Sequence, residues 1–273
     1  MTGVGWRGAV VLVTGGSRGI GRAVATAAAE RGATVGLVAR NGPELRAVLD
    51  EIGGHGTLVV ADVSSRDETE RAVARVRAEL GPIDVVVANA GIGQYGPFVD
   101  ADPAQFERLM AVNVLGTLYV LRASLPEMVE RRRGHVVIVG SVAGRMGTPF
   151  EAVYSATKFA QVGLAESLMV ELSAFGIGVS MVNPGPVDTG FFDARGHAYD
   201  RSFPRTVPPE RIAESVIRAV DQQRREQLVP RWLRPALVFR HLVPPAYELG
   251  TRRSFKRELE ALEHSRSATV ERG

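Results

Sequence analysis

The chain has 273 residues, 45% of them apolar and 23% charged. That is enough for one large domain with its own core, and it excludes a disordered polymer, a collagen-like repeat and a disulfide-framed secreted module. Cysteine is absent, which removes thiol nucleophiles, disulfides and Cys-ligated metal centres and fits a reducing, cytoplasmic setting. The net charge of +3 is unevenly placed: from Gln222 to Gly273 eleven Arg and Lys face six Glu, so the rest of the chain is slightly acidic. Such a body does not read as a nucleic-acid binder.

Short β-branched runs alternate with longer helical patterns, the signature of a parallel α/β sheet. The strands are expected at Ala9–Val13, Thr34–Val38, Thr57–Val60, Val85–Ala88, His135–Val139, Val179–Val182 and Gln227–Val229. Several are apolar on both faces, as strands covered by helices on each side should be. Helices are expected at Ile20–Arg31, Pro43–Ile52, Asp67–Leu80, Pro103–Arg132, Ala152–Phe175 and Pro209–Gln223, with Pro126 marking a place for a kink or break. After about residue 230 Pro and Arg rise and the rhythm stops; one last helix near Arg252–Glu263 and a mobile final ten residues are expected. Ala9–Val13 is too short for a signal peptide, and arginines and prolines break Leu228–Leu249, so no segment reads as membrane-spanning. The pattern implies a single doubly wound domain over 1–230, with a basic C-terminal extension over 231–273.

The glycine string Thr14-Gly15-Gly16-Ser17-Arg18-Gly19-Ile20-Gly21 closes the first strand and opens the first helix. Gly15 permits a tight turn, while Gly19 and Gly21 allow backbone to approach a pyrophosphate and helix to pack on strand. The helix N-terminus presents free N–H groups and a positive dipole end. A plain strand-to-helix turn is the competing reading.

That spacing, Gly-x-x-x-Gly-x-Gly, resembles the short-chain dehydrogenase/reductase family. Further segments match it in order: Asp62-Val63, Asn89-Ala90-Gly91, Asn113, Ser141, Tyr154-Ser155-Ala156-Thr157-Lys158 and Pro184-Gly185-Pro186-Val187-Asp188-Thr189. The match runs from about residue 9 to 230 and looks like the classical branch, whose members are mostly nicotinamide-dependent oxidoreductases on a Rossmann-type, seven-stranded parallel sheet. The resemblance implies cofactor contacts at Gly15, Ser17, Arg18, Gly19, Ile20, Gly21, Asp62, Val63, Asn89, Ala90, Gly91, Pro184, Gly185, Val187 and Thr189.

The second strand ends Leu37-Val38-Ala39-Arg40, with no carboxylate at Ala39 to hold an NAD ribose. Arg40 offers a planar, permanently charged fork to the 2′-phosphate of NADP, and Arg18 could clamp it from the other side. NADP (NADPH) is the expected cofactor, with NAD the alternative; two solvated surface arginines are the plainer explanation.

Carbonyl–alcohol chemistry needs a protein group for the oxygen-bound proton, and Tyr154 is the candidate. Lys158, one helical turn on, shares its face and should lower the phenol pKa as a neighbouring cation. Only Lys158 and Lys256 are lysines in a chain with 33 basic residues, so the internal one invites a chemical explanation. The resemblance adds that Lys158 and Tyr154 also touch the cofactor. Ser141, past the fifth strand, should orient the substrate oxygen, though capping the next turn is equally within its chemistry. Asn113 is a poor mid-helix residue; the resemblance gives it a water-mediated proton relay to Lys158. No metal ligand set is expected.

Phe191, Phe192, Tyr199 and Phe203 follow Thr189 in a segment that could close over an apolar carbonyl or alcohol substrate, or simply anchor itself to the core. The tail departs from small tetrameric members of the family and resembles steroid- and lipid-type dehydrogenases. Its Trp232, Leu233, Leu237, Val238, Phe239 and Leu242, with interspersed Arg, could pack on their own domain, cover the pocket, pair two copies or rest on a membrane surface. A homo-oligomer, dimer or tetramer, is expected. The expected activity is NADP(H)-dependent interconversion of a ketone or aldehyde and an alcohol. The alternatives are an NAD(H)-dependent alcohol or steroid-type dehydrogenase, a non-catalytic cofactor sensor, and an epimerase, for which the residues after 230 are too few.

Overall fold

A computed structural model describes residues 4–270, with side chains through 264. All seven expected strands form, within two residues of their expected ends: β1 (Val10–Thr14), β2 (Thr34–Ala39), β3 (Gly56–Val60), β4 (Val85–Ala88), β5 (His135–Val139), β6 (Gly178–Pro184) and β7 (Glu226–Val229). They make one parallel sheet in the order β3-β2-β1-β4-β5-β6-β7. The order reverses between β1 and β4, and the crevice at their carboxyl ends is where open α/β sheets bind ligands.

Strand alternation divides the core. Val11 and Val13 of β1, Val85 and Val87 of β4 and Val137 of β5 belong to one apolar layer; Leu12, Val86, Val136 and Ile138 belong to the other. The first layer is covered by α1 (Gly19–Ala29), α2 (Gly42–Glu51) and α8 (Pro209–Asp221); the second by α3 (Arg66–Leu80), α5 (Gly116–Arg131) and α6 (Ala152–Glu171). Side-chain caps fix three helix starts: Asn41 Oδ1 accepts from Glu44 N, Ser65 Oγ from Glu68 N and Asp102 Oδ1 from Ala104 N. Trp6, ahead of β1, donates from Nε1 to Asp221 Oδ1 at 2.6 Å.

Two helical expectations change. The span 103–131 is continuous through Pro126, and its irregularity lies earlier: α4 (Pro103–Leu109) passes through a π-helical turn, Met110–Leu115, into α5. Fully buried Asn113 sits in that turn, tied by its side chain to Ile92 and Thr157 in other segments; single π-turns inside α-helices are frequent at functional sites. This run is also long and apolar enough to cross a membrane, contrary to the expectation that no segment is. Here it packs against α3, β4 and α6 as a core helix.

The tail holds three helices where one was expected: α9 (Arg234–Leu242), α10 (Pro244–Ser254) and α11 (Lys256–Val270), preceded by a 3₁₀ turn, Arg231–Leu233. Pro235, Pro244 and Pro245 stand in the first turns of α9 and α10, where a missing N–H costs nothing. The short α7 (Phe191–Ala194) follows β6. The expectation of mobility in the last ten residues falls mostly outside the described side chains.

Candidate active site

Unlike the three capped helix starts, α1 has Arg18 in the capping position and no side-chain cap bond. Its first-turn N–H groups are therefore available to a ligand. Gly15 and Gly19 take φ of +66° and +54°, which side-chain-bearing residues adopt at a cost. Of the two tasks expected of it, Gly21 performs the packing one. It does not face the pocket; a Cβ there would lie 2.1 Å from Gly15 O, so it permits close packing behind the turn. Asn89 pins the same turn from β4, donating from Nδ2 to Thr14 O (3.0 Å) and Gly15 O (3.3 Å).

The glycine turn opens one pocket of about 890 Å³ that continues to the tail. All the other expected cofactor contacts line it: Ser17, Arg18, Ile20, Arg40, Asp62, Val63, Ala90, Gly91, Pro184, Gly185, Val187 and Thr189, with Gly15, Gly19 and Asn89. An uncapped helix start, a side-chain-free turn and this lining fit a dinucleotide with its pyrophosphate at α1. At the far end Arg40 stands 3.8 Å from Asp62 Oδ2. Burial pushes the Asp62 carboxyl up, but hydrogen bonds from Ser64 and the Arg40 charge outweigh it and hold the pKa below the usual value.

Helix α6 brings Tyr154 and Lys158 to the same pocket, 8% and 4% exposed, with Lys158 Nζ 5.7 Å from the Tyr154 ring centre. Ser141 caps the next turn, its Oγ accepting from Ala143 N at 3.1 Å, and it is near enough to the Tyr154 phenol to pull that pKa down. Asn113 does not line the pocket. Its side chain joins Ile92 N (2.8 Å), Ile92 O (2.9 Å) and Thr157 Oγ1 (3.0 Å), bracing the loop after β4 against α6.

The expected acidification of Tyr154 by Lys158 is overturned. Burial drives the phenol pKa up; Ser141 and Arg195 oppose this, Glu151 adds to it, and Lys158 is not among the groups that move it. Burial also pushes Lys158 down to about 8. Desolvation penalises both charged forms, and it outweighs an amine 5.7 Å from the ring centre.

Sequence reasoning missed two sets of residues and part of a third. Gln161, one turn beyond Lys158, is 2% exposed and bonded to it; its place on the Tyr154 face was a usable signal. Glu151, ahead of α6, is ion-paired to Arg195, whose guanidinium lies over the rings of Tyr95 (4.9 Å) and Phe192 (4.6 Å). The tail walls the pocket with Trp232, Leu233 and Phe239, which the sequence offered as a cover for it, and with Ala236, Tyr247, Thr251 and Phe255, which it did not. Arg201 anchors this wall: it pairs with Glu258, donates to Ser254 O at 2.8 Å and lies 3.8 Å over the Phe255 ring.

A dinucleotide cradle at a sheet's switch point, beside half-buried Ser141 and buried Tyr154 and Lys158, places the chain in a class of dinucleotide-binding α/β proteins. The family model described as short chain dehydrogenase matches residues 9–200, and the chain belongs to that family. It is 40% identical over 189 residues to a short chain dehydrogenase of Pseudocercospora fijiensis, covering 67% of this chain and 61% of that protein. It is 39% identical over 193 residues to the 3-ketodihydrosphingosine reductase of Bos taurus, covering 68% and 58%. The matched part is thus about three-fifths of these two relatives. Among solved structures, an alcohol dehydrogenase from Thermococcus sibiricus complexed with 5-hydroxy-NADP superposes with a TM-score of 0.73 at 28% identity, covering 81% of this chain and 95% of that one. A Burkholderia phymatum short chain dehydrogenase/reductase in complex with NAD shares the fold, with a TM-score of 0.81 at 24% identity over 87% and 94%.

Proposed function

We propose that the protein is an NADP(H)-dependent reductase that interconverts an apolar ketone or aldehyde and its alcohol. The observation that carries this reading is the convergence of Ser141, Tyr154 and Lys158 on the pocket that the glycine turn opens. A bound nicotinamide dinucleotide supplies or accepts the hydride. Ser141 orients the substrate oxygen towards the phenol. Tyr154, kept protonated by burial, gives its proton to that oxygen, so the resting state suits reduction. Lys158 retains donor capacity for the cofactor ribose after bonding Gln161 and Val139 O.

Arg18 and Arg40 on the pocket wall, with no carboxylate at Ala39, support a 2′-phosphate and hence NADP over NAD. The aromatic segment after Thr189 and the tail wall support an apolar substrate. We read residues 1–230 as the domain and the tail as its cover. Leu115, Leu118, Phe159 and Val170, exposed on the π-turn, α5 and α6, support pairing with a second copy. Exposed Trp232, Val238 and Leu242 beside Arg231 and Arg234 support contact with a lipid surface.

The deciding experiment is Tyr154→Phe assayed by NADPH consumption against carbonyls of graded size. Turnover should fall about 1,000-fold while NADPH binding, read by fluorescence titration, is retained. Near-normal rates would remove Tyr154 from the reaction and the reading with it.

A further inference from the structure

Gln161 occupies the third place on the strip of α6 that carries Tyr154 and Lys158. A buried carboxamide is costly unless its polar atoms are bonded. Here its Oε1 accepts from Lys158 Nζ at 2.9 Å, and its Nε2 donates to Asn113 O at 2.7 Å and Thr117 Oγ1 at 2.9 Å. Thr117 Oγ1 also donates to Asn113 O at 2.8 Å, so both lone pairs of that carbonyl are engaged. The link from the amine to the π-turn therefore runs through a side chain.

We propose that Gln161 is a positioning residue of the reaction centre, which fixes the Lys158 ammonium from the side away from the pocket and closes the inward route for protons. The proposal rests on the reading of Tyr154 and Lys158 as the proton-handling pair. A group that passes protons must accept one and release another, as water and hydroxyls do. The carboxamide presents an acceptor to Lys158 and only donors to Asn113 and Thr117, so it holds both ends without carrying a proton between them. The family's relay through Asn113 is thus replaced in this chain by a strut, and protons exchange on the pocket side.

The surroundings of Lys158 isolate this contact. Strand β5 offers it the carbonyl of Val139 at 3.3 Å, Gly91 in the loop after β4 leaves open the space beside it, where a Cβ would lie 3.7 Å from Nζ, and the π-turn reaches it through Gln161. Tyr154 on the same helix is the titratable neighbour, and the charges of Glu151 and Arg195 bear on Tyr154. Changing the acceptor at Gln161 should therefore register directly in the titration of Lys158.

With two lysines in the chain, ¹³C-lysine labelling gives two side-chain signals, one from Lys158 and one from exposed Lys256. In the cofactor-free protein the Lys158 signal should titrate near pH 8. Gln161→Met removes the acceptor at similar length and should lower the midpoint by about one unit. Gln161→Glu places a carboxylate against the ammonium and should raise it by about one unit or more. The pH limb of kcat should move in the same opposed directions, with KM for NADPH little changed. Midpoints that stay put, or that both move the same way as a merely structural residue would allow, overturn the proposal. If the Met variant does not fold, the Glu variant decides alone: a rise supports the strut and its absence refutes it. A wild-type protein inactive on every carbonyl would defeat the functional reading, yet the NMR midpoints would still judge Gln161.

Discussion

Tyr154, Lys158 and Gln161 on α6 are at most 8% exposed, and hydrogen bonds to the π-turn and β5 hold Lys158 and Gln161 in place. Across the pocket, the tail wall is fixed by Arg201, whose pair with Glu258 is about a quarter exposed on each side, and by ring contacts among Arg201, Phe150 and Phe255. The first arrangement is expensive to disturb, because a lost partner leaves a buried polar group unmet. The second is cheap to disturb, because water can replace what is lost. Chemistry that demands fixed geometry sits on the rigid side, and the surface that must admit substrates of some bulk sits on the yielding one.

The contrast breaks most sharply at the cradle. Gly21→Ala would push a Cβ into Gly15 O and Asn89 Nδ2, 2.1 and 2.7 Å away. Denaturant unfolding should show a loss of about 3 kcal/mol, and NADPH affinity should fall by more than about tenfold as the turn distorts. A smaller change is expected where the cradle meets solvent. Arg40→Asp should cut the preference for NADPH over NADH by about tenfold to a hundredfold, the worth of one charge-assisted contact, measured by fluorescence titration with both cofactors. An unchanged preference would refute the assignment of Arg40. The smallest effect belongs to the roof: Arg201→Ala should raise substrate KM several-fold, leave kcat and cofactor binding in place, and cost about 1 kcal/mol or less of stability. A fall in kcat matching that of a change on α6 would erase the distinction between the two regions.

The rigid region was legible in the sequence and the roof only in part, for related reasons. Strands buried on both faces read as apolar runs, and the glycine turn and Tyr154–Lys158 spacing carry local signals that need no tertiary knowledge. The π-turn at Met110–Leu115 carries Asn113, whose bonds to Ile92 and Thr157 join it to distant segments, and periodicity sees neither. Pro126 misled in the opposite direction, since α5 continues through it. In the tail the prolines looked like breakers and turned out to start helices. The pKa reversal at Tyr154 has the same root: helical spacing reports that an amine is near, while the depth of burial, which decides the sign, is a property of the whole fold.

The anchoring of Trp6 to Asp221 has a practical corollary. Asp221 ends α8, beneath the edge where the strands begin, whereas the pocket opens where they finish. An affinity handle or surface tether joined upstream of Val4 would hang from the side opposite the mouth and leave traffic through it free. The same attachment downstream would extend from α11, whose Glu258 clasps the roof, and would load the part of the molecule least able to resist it.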